Sequence, residues 1–517
     1  MPISRLDRLE AWKRRFGSGD TARLERLLAA ASKWRLRDAA GLIRLHETVL
    51  FLRSWPASPE IARLADGILF SFARRVADLP EDERAAFAEP EISGIAGSSL
   101  TAVFSHDVAR SLAARYPRNV EIAWDCYDEP DRLGPLLTRL LPMMAEDYPV
   151  EAHPPYREWL PAGGLAWLLD HSDYQSYDAL QLPLTWNIAN APTSRSRLRL
   201  PNRKLYCHPE PLLRRSDISL DTELKGPPMP VKRLLRPEAR KILDIILDTS
   251  AMRYRELYGF SHPDETGVFH ADAGRGVSIY FFGVPPSWRL PLRAYHAGMF
   301  FKNGVPAGYV ELLSFFDRAE TGFNLYYTFR DGETAWLYAR LLRLFHQVLG
   351  VNTFSVDPYQ IGLENSEAVD SGAFWFYRKL GFRPVDPEIA TLTEREEHRM
   401  RQTPGYRSSR RTLEKLAVGY MVYEGPSAER GLWDHFRIRR LAMAVQRGNR
   451  ASAGKSSSGL AMAMNSIPDL RTWNEDERTA AARILHAKEK GSEARYLRLM
   501  QQHRRLRDAF LAMGSEA

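Results

Sequence analysis

The chain has 517 residues, a formal net charge of +8, 44% hydrophobic and 11% aromatic residues, which exclude a disordered chain and supply apolar material for roughly two to four domains. Arginine supplies 60 of its 72 cationic side chains, which favours anionic partners in general without identifying nucleic acid: phosphorylated small molecules and cofactors satisfy the same preference, and a merely solvated basic surface is the plainer alternative. Cys126 and Cys207 lie far apart with no CxxC, which excludes a disulfide scaffold and a zinc knuckle.

The first residues, MPISRLDRLEAWKRRFG, lack an apolar signal core, and no run reaches the roughly 18 apolar residues of a membrane span, so a soluble cytoplasmic protein with no membrane association is expected. From 20 to 80, apolar residues recur three and four apart, as in LERLLAAASKWRLRDAAGLIRLHETVLFLRSW, and predict helices with one buried face. The pattern restarts after Pro56, with Ser58 as a cap and Pro59 in the first turn of the next helix. Val120 to Asp128 reads as a short buried strand, and LGPLLTRLLPMMAEDY as a helix interrupted at Pro142. Residues 1–185 are thus a mostly helical N-terminal region. Residues 186–236, rich in Pro, Arg, Asn and Ser, are a basic connection that is either a boundary or a long loop over a site. Its alternating Arg195, Arg197 and Arg199 have no aromatic stacking partners nearby.

A new pattern begins at Pro237 and runs to 428. A helix (RPEARKILDIILDTSAMRYRELYGF) precedes strands at 276–284, 292–316 and 320–329, the middle one folded into a hairpin at Lys302-Asn303-Gly304. The order continues with the helix TAWLYARLLRLFHQVLG, the strand NTFSVDPYQI, the helix AFWFYRKLG, the strand FRPV and, further on, LAVGYMVYEG. This is an α+β domain with a mixed sheet that can splay and leave a cleft between a strand end and a helix N-terminus. Residues 429–517 form a helical C-terminal extension, with helices from about 430 to 448 and 476 to 513 and a flexible linker near 451–464. Gly454-Lys455-Ser456 in that linker carries only the end of a phosphate-loop pattern, and His262, His270 and His296 make no metal-ligand pattern, so no metal is expected.

Four stretches carry candidate chemistry. In LYYTFRDGETAWLYARLLR, Arg330, Asp331 and Gly332 form a turn and Thr334 stands where it can cap the next helix, whose free N–H groups can cradle a pyrophosphate beside Arg330. The plainer alternative is a connection whose acidic residues favour the helix dipole. In SGAFWFYRKLGFRPV, Tyr377 is either a proton donor at a helix edge or a packed core tyrosine. Glu311, in GYVELLSFF, either accepts a proton from an amine or sits in a salt bridge. In VDPYQIGLENSEAVDSG, Tyr359 and Gln360 can reach a substrate channel and Asn365 a basic acceptor, unless Asn365 or Ser366 only caps a short helix.

Taken together, residues from about 275 to 386 resemble the GNAT superfamily of acyl-CoA-dependent N-acyltransferases. The most specific likeness is AFWFYRKLGF, with Ala373, Tyr377, Gly381 and Phe382 spaced as family members tend to have them. RDGETA looks like a degenerate form of the family's pyrophosphate loop, matched at Arg330 and Ala335, with Glu333 at a glycine position. The resemblance implies acetyl-CoA or another acyl-CoA as co-substrate, bound by Arg330, Gly332, Thr334 and Ala335. It implies Tyr377 as general acid for the coenzyme A thiolate; on this enzyme reading Glu311 or a water relay deprotonates a small-molecule or peptide amine, and Tyr359 and Asn365 contact substrate. The rival reading is a non-catalytic GNAT-like interaction module, with nucleic acid as its less favoured partner; a third is another transferase using the same cleft for a different activated donor.

Overall fold

The computed structural model describes residues 4–201, 204–448 and 458–515. The first segment folds as the helical periodicity predicts. Helices Arg5–Trp12, Ser18–Ala31 and Pro59–Phe70 bury one face each, whereas Ala39–Ser54 is buried on most sides, through the unbroken run Thr48 to Leu52; Ser58 accepts from the Ile61 N–H with Pro59 in the first turn. Within the same region lies a small antiparallel sheet of which only the strand from Val120 is expected from the sequence: β1 (Ser99–Val103), β2 (Val120–Ile122) and β3 (Pro183–Asn187), in the order β1-β3-β2. Two expectations change here. The strand predicted to run to Asp128 stops at Ile122 and turns into a short 3-10 helix, Trp124–Cys126, because its partner β3 begins at Pro183 and offers nothing further to pair with. The boundary at 185 falls inside β3, whose Trp186 pairs with Leu100.

The larger sheet has nine strands. In chain order they are β4 (Val231–Arg233), β5 (Phe269–Gly274), β6 (Val277–Gly283), β7 (Ala294–Lys302), β8 (Val305–Phe315), β9 (Arg318–Leu325), β10 (Thr353–Val356), β11 (Arg383–Pro384) and β12 (Met421–Glu424). In space they run β11-β12-β10-β9-β8-β7-β6-β5-β4, so β12 inserts between β10 and β11. The architecture is α+β with a mixed sheet: every described neighbouring pair is antiparallel except β9 and β10, which are parallel. The hairpin predicted at Asn303-Gly304 forms, with φ of 49° and 80° at the two turn residues. Its tip is buried, because the Asn303 amide donates to the carbonyls of Ser54 and Tyr206 at 2.8 and 2.9 Å.

Helix Thr334–Leu349 covers one face of the sheet, where Phe323 of β9 packs 5.0 Å from the ring of Tyr338. Helix Arg236–Ala251 covers part of the other, burying Leu243 and Ile246 with Tyr295 and Met299. A single apolar core joins the N-terminal helices, the sheet and the C-terminal helices Glu475–Lys490, Glu493–Gln502 and Arg504–Ser515. The expected linker near 451–464 is corrected in its second half. Gly459–Asn465 is a helix capped by Ser458 that buries Leu460, Ala463 and Met464, a compact apolar spacing hidden by small residues. Gly454-Lys455-Ser456 lies outside the described residues.

Candidate functional site

β9 and β10 run together for three residues, Arg318 to Glu320 beside Thr353 to Ser355, and then part. β10 ends at Val356, where Asp357 caps the short helix Pro358–Ile361 and Pro358 has no N–H for the ladder. β9 continues to Leu325, so its last five residues have no strand neighbour on that side. A cavity of about 740 Å³ opens on this gap. It is lined by Phe323, Asn324 and Leu325, by Arg330, Asp331, Gly332, Thr334 and Ala335 of the turn and helix start, and by Ala373, Phe376 and Tyr377.

Six of the eight sequence-predicted site residues line this cavity: Arg330, Gly332, Thr334, Ala335, Asn365 and Tyr377. Thr334 does not cap its helix. It is the first helical residue, its hydroxyl donates to the Arg330 carbonyl at 3.3 Å, and no side chain accepts from the first-turn N–H groups. Gly332 is required by a close approach, since a Cβ there would lie 2.8 Å from Cζ2 of Trp55. Arg330 pairs with Glu367 at the rim. Asp331 is held from the far end of the chain by Lys13 at 2.7 Å and Arg14 at 3.3 Å.

Tyr377 is only 3% exposed and sits edge-on to the rings of Tyr338, Phe376 and Phe382. Its phenol reaches the cavity without a hydrogen-bond partner among the described residues, and burial pushes its pKa up, so it keeps its proton through the physiological range. Asn365 has its amide committed: Oδ1 accepts from the Ala368 N–H at 3.1 Å and Nδ2 donates to the Tyr359 carbonyl at 3.0 Å. It caps the helix Ser366–Ser371.

The glutamate at the glycine position of the loop does not face the cavity. Glu333 is 1% exposed, accepts from the Leu213 N–H at 3.1 Å and from Arg275 Nε at 3.2 Å, and forms an ion pair with that guanidinium. Its charge is therefore spent beneath the turn. The segment that meets it, Pro211 to Arg215 of the basic connection, also lines the cavity and brings Arg214 and Arg215, neither of which has an ion-pair partner among the described residues. The sequence leaves that connection as either a boundary or a loop over a site, and its alternation draws attention to Arg195, Arg197 and Arg199 rather than to Arg214 and Arg215. Comparison with protein-family models, with curated proteins and with solved structures returned no match for this chain.

Two predicted residues stand elsewhere. Tyr359 is 53% exposed and outside the cavity, because the Pro358 turn points it to solvent; its neighbour Gln360 lines the cavity instead. Glu311 pairs across the sheet with Gly322 and accepts a hydrogen bond from the Tyr295 hydroxyl on the face covered by helix Arg236–Ala251. Burial raises its pKa, and it does not line the 740 Å³ cavity. The alternating arginines of the connection are likewise structural in part: Arg195 is 4% exposed and gives two 2.8 Å hydrogen bonds to Glu47, and Arg199 pairs with Asp66 at 2.8 Å.

Proposed function

We propose that the chain is an acyl-CoA-dependent N-acyltransferase of the GNAT type, transferring an acyl group directly to an amine. The observation that carries the reading is the parting of the parallel strands β9 and β10 over a cavity that also receives an uncapped helix start and the unpartnered phenol of Tyr377. The strand order around that pair, with β12 between β10 and β11, adds support, as does the burial of Glu333 away from the cavity.

In this scheme the first-turn N–H groups of Thr334–Leu349, with Arg330, Arg214 and Arg215 around the mouth, hold the diphosphate of an acyl-CoA. The co-substrate supplies an activated thioester. The amine nitrogen forms the new C–N bond to the acyl carbon as the C–S bond breaks. An ammonium substrate gives up two protons: one is released to solvent before attack, and the other leaves on amide formation while Tyr377 protonates the departing sulfur and is reprotonated in turn. Holding both reactants in one cleft supplies much of the acceleration. The test is calorimetric titration of the full chain with acetyl-CoA. Saturable 1:1 binding that weakens at least about tenfold in Arg330→Gln is expected; no heat at millimolar acetyl-CoA would refute the reading.

A further inference from the structure

Thr321 and Phe323 of β9 face Tyr338 and the Thr334–Leu349 helix, so Arg318, Glu320 and Gly322, of opposite parity, face the other side of the sheet. A second cavity of about 440 Å³ lies on that side. Arg293, Arg318, Arg437, Arg439 and Arg440 line it with one carboxylate, Glu320.

We propose that this cavity holds the anionic group, a carboxylate or a phosphate monoester, of an amine acceptor whose nitrogen reaches through the gap between β9 and β10. The identity of the acceptor rests on the acyltransferase reading above; the anion site rests on the cavity itself. Arg318 is the decisive residue. It is 7% exposed, its Nε donates to Ser355 Oγ at 3.1 Å and its Nη1 to the Phe436 carbonyl at 3.4 Å, and Nη2 has no partner among the described residues. It makes no ion pair with any described residue, unlike the equally buried Arg195 with Glu47. A buried guanidinium left without an anion is costly, and its planar fork matches a carboxylate or phosphate. Burial, with Arg437 and Arg293 adding to it against the opposing pull of Glu320, lowers its pKa to about 10, still leaving it charged at neutral pH.

The neighbours are set for the same task. Arg437 is fixed by two 2.8 Å hydrogen bonds to the carbonyls of Asp434 and Phe436 and lies over the Tyr420 ring. Arg439 and Arg440 extend the charge into solvent. Glu320 stands 3.8 Å from Arg293 and two residues, roughly 7 Å along the strand, from Gly322. Gly322 lies two residues past Glu320, the last β9 residue paired with β10, where the strands have parted, and a Cβ there would meet Gln360 Nε2 in an ordinary 3.7 Å contact. A carboxylate at the gap beside five arginines suits a molecule with an ammonium at one end and an anion at the other, such as an amino acid or a phosphorylated amine.

The experiment compares the full chain with Arg318→Gln and with the exposed double variant Arg439→Gln/Arg440→Gln, which bears less on folding. Each is titrated calorimetrically with inorganic phosphate and with succinate, then assayed for acetyl-CoA consumption with glutamate, phosphoethanolamine and ethanolamine. Expected is an anion affinity reduced about tenfold in both variants, and a kcat/KM for an anion-bearing amine at least about tenfold above ethanolamine that collapses toward parity in them. Glutamate and phosphoethanolamine separate carboxylate from phosphate recognition. Anion binding unaffected by either variant, or equal use of all three amines, overturns the proposal while leaving acyl transfer intact. Anion binding lost in the variants with no amine acylated keeps the anion cavity and sinks the acyltransferase reading instead.

Discussion

Glu333 and Arg275 form a buried ion pair directly under the turn that rims the larger cavity, with the Glu333 carboxylate 1% exposed and also accepting the Leu213 N–H. A glycine at 333 would match the proposed GNAT-type loop more closely yet leave Arg275 without its counter-ion. Removing one partner of such a pair costs about 3 kcal/mol at the lower end of the usual range, appropriate because Arg275 keeps some solvent contact. Glu333→Gly is therefore expected to lower stability by that amount in urea unfolding followed by tryptophan fluorescence. A midpoint equal to the parent's would show that the pair contributes nothing.

Tyr377→Phe removes only an oxygen that no described residue bonds, so the fold and acetyl-CoA affinity are expected to change less than about twofold. Turnover is expected to fall by about a hundredfold or more if the phenol protonates the leaving thiolate. Steady-state kinetics beside calorimetric binding makes the comparison; unaltered kcat removes Tyr377 from the mechanism.

Gly332→Ala drives a methyl group toward Trp55, at 2.8 Å from Cζ2, and the turn must move to relieve the contact. The helix start that follows moves with it, so acetyl-CoA affinity is expected to drop by about tenfold. Trp55→Phe in the same background opens space and should restore part of the loss; no recovery would place the effect elsewhere.

Stability is expected to rise with pH through a buried cluster beside this pair. Lys302 Nζ lies 2.9 Å from His208 Nε2, and burial holds the lysine near pH 7 against an ordinary 10.5. Glu333 opposes that shift and Arg275 assists it. Burial, then Lys302 and Arg275, hold His208 down to about 2 against 6.5. In both intervals the unfolded chain binds more protons than the folded one, so each group raises stability as pH climbs, from about 2 to 6.5 and from about 7 to 10.5. Lys302→Met should flatten the upper interval by up to about 1.4 kcal/mol per pH unit in urea titrations between pH 7.5 and 9.5. Parallel pH profiles for the two proteins would contradict this.

What the sequence revealed and what it concealed follow from local against long-range physics. The β9–helix–β10–helix succession was legible because periodicity, the Asn303-Gly304 turn and the Ala373-to-Phe382 spacing are encoded within a few residues. β1 and β3 were missed because each is five residues long and pairs only with distant strands: β1 with β3, as Ser99 beside Asn187, and β3 also with β2, as Trp186 beside Val120. Glu311 was misplaced for a related reason: its side of the strand depends on which face meets helix Arg236–Ala251, and apolar residues fill both faces of β8. Glu333 could be recognised as a departure in the loop, but its partner Arg275 lies 58 residues away and nothing local links them.

The clamp of Lys13 and Arg14 on Asp331, together with Trp55 behind Gly332, ties the rim of the larger cavity to the first tenth or so of the polypeptide. An excised fragment covering 237–428 would keep the nine-stranded sheet nearly whole but lose the wall that shapes this turn, so the sheet and its cavity resist being treated as a portable unit. During synthesis, the ribosome delivers that wall before the loop it must brace, and the rim reaches its working shape only after β9 and the turn beyond it have emerged and docked onto helices already made.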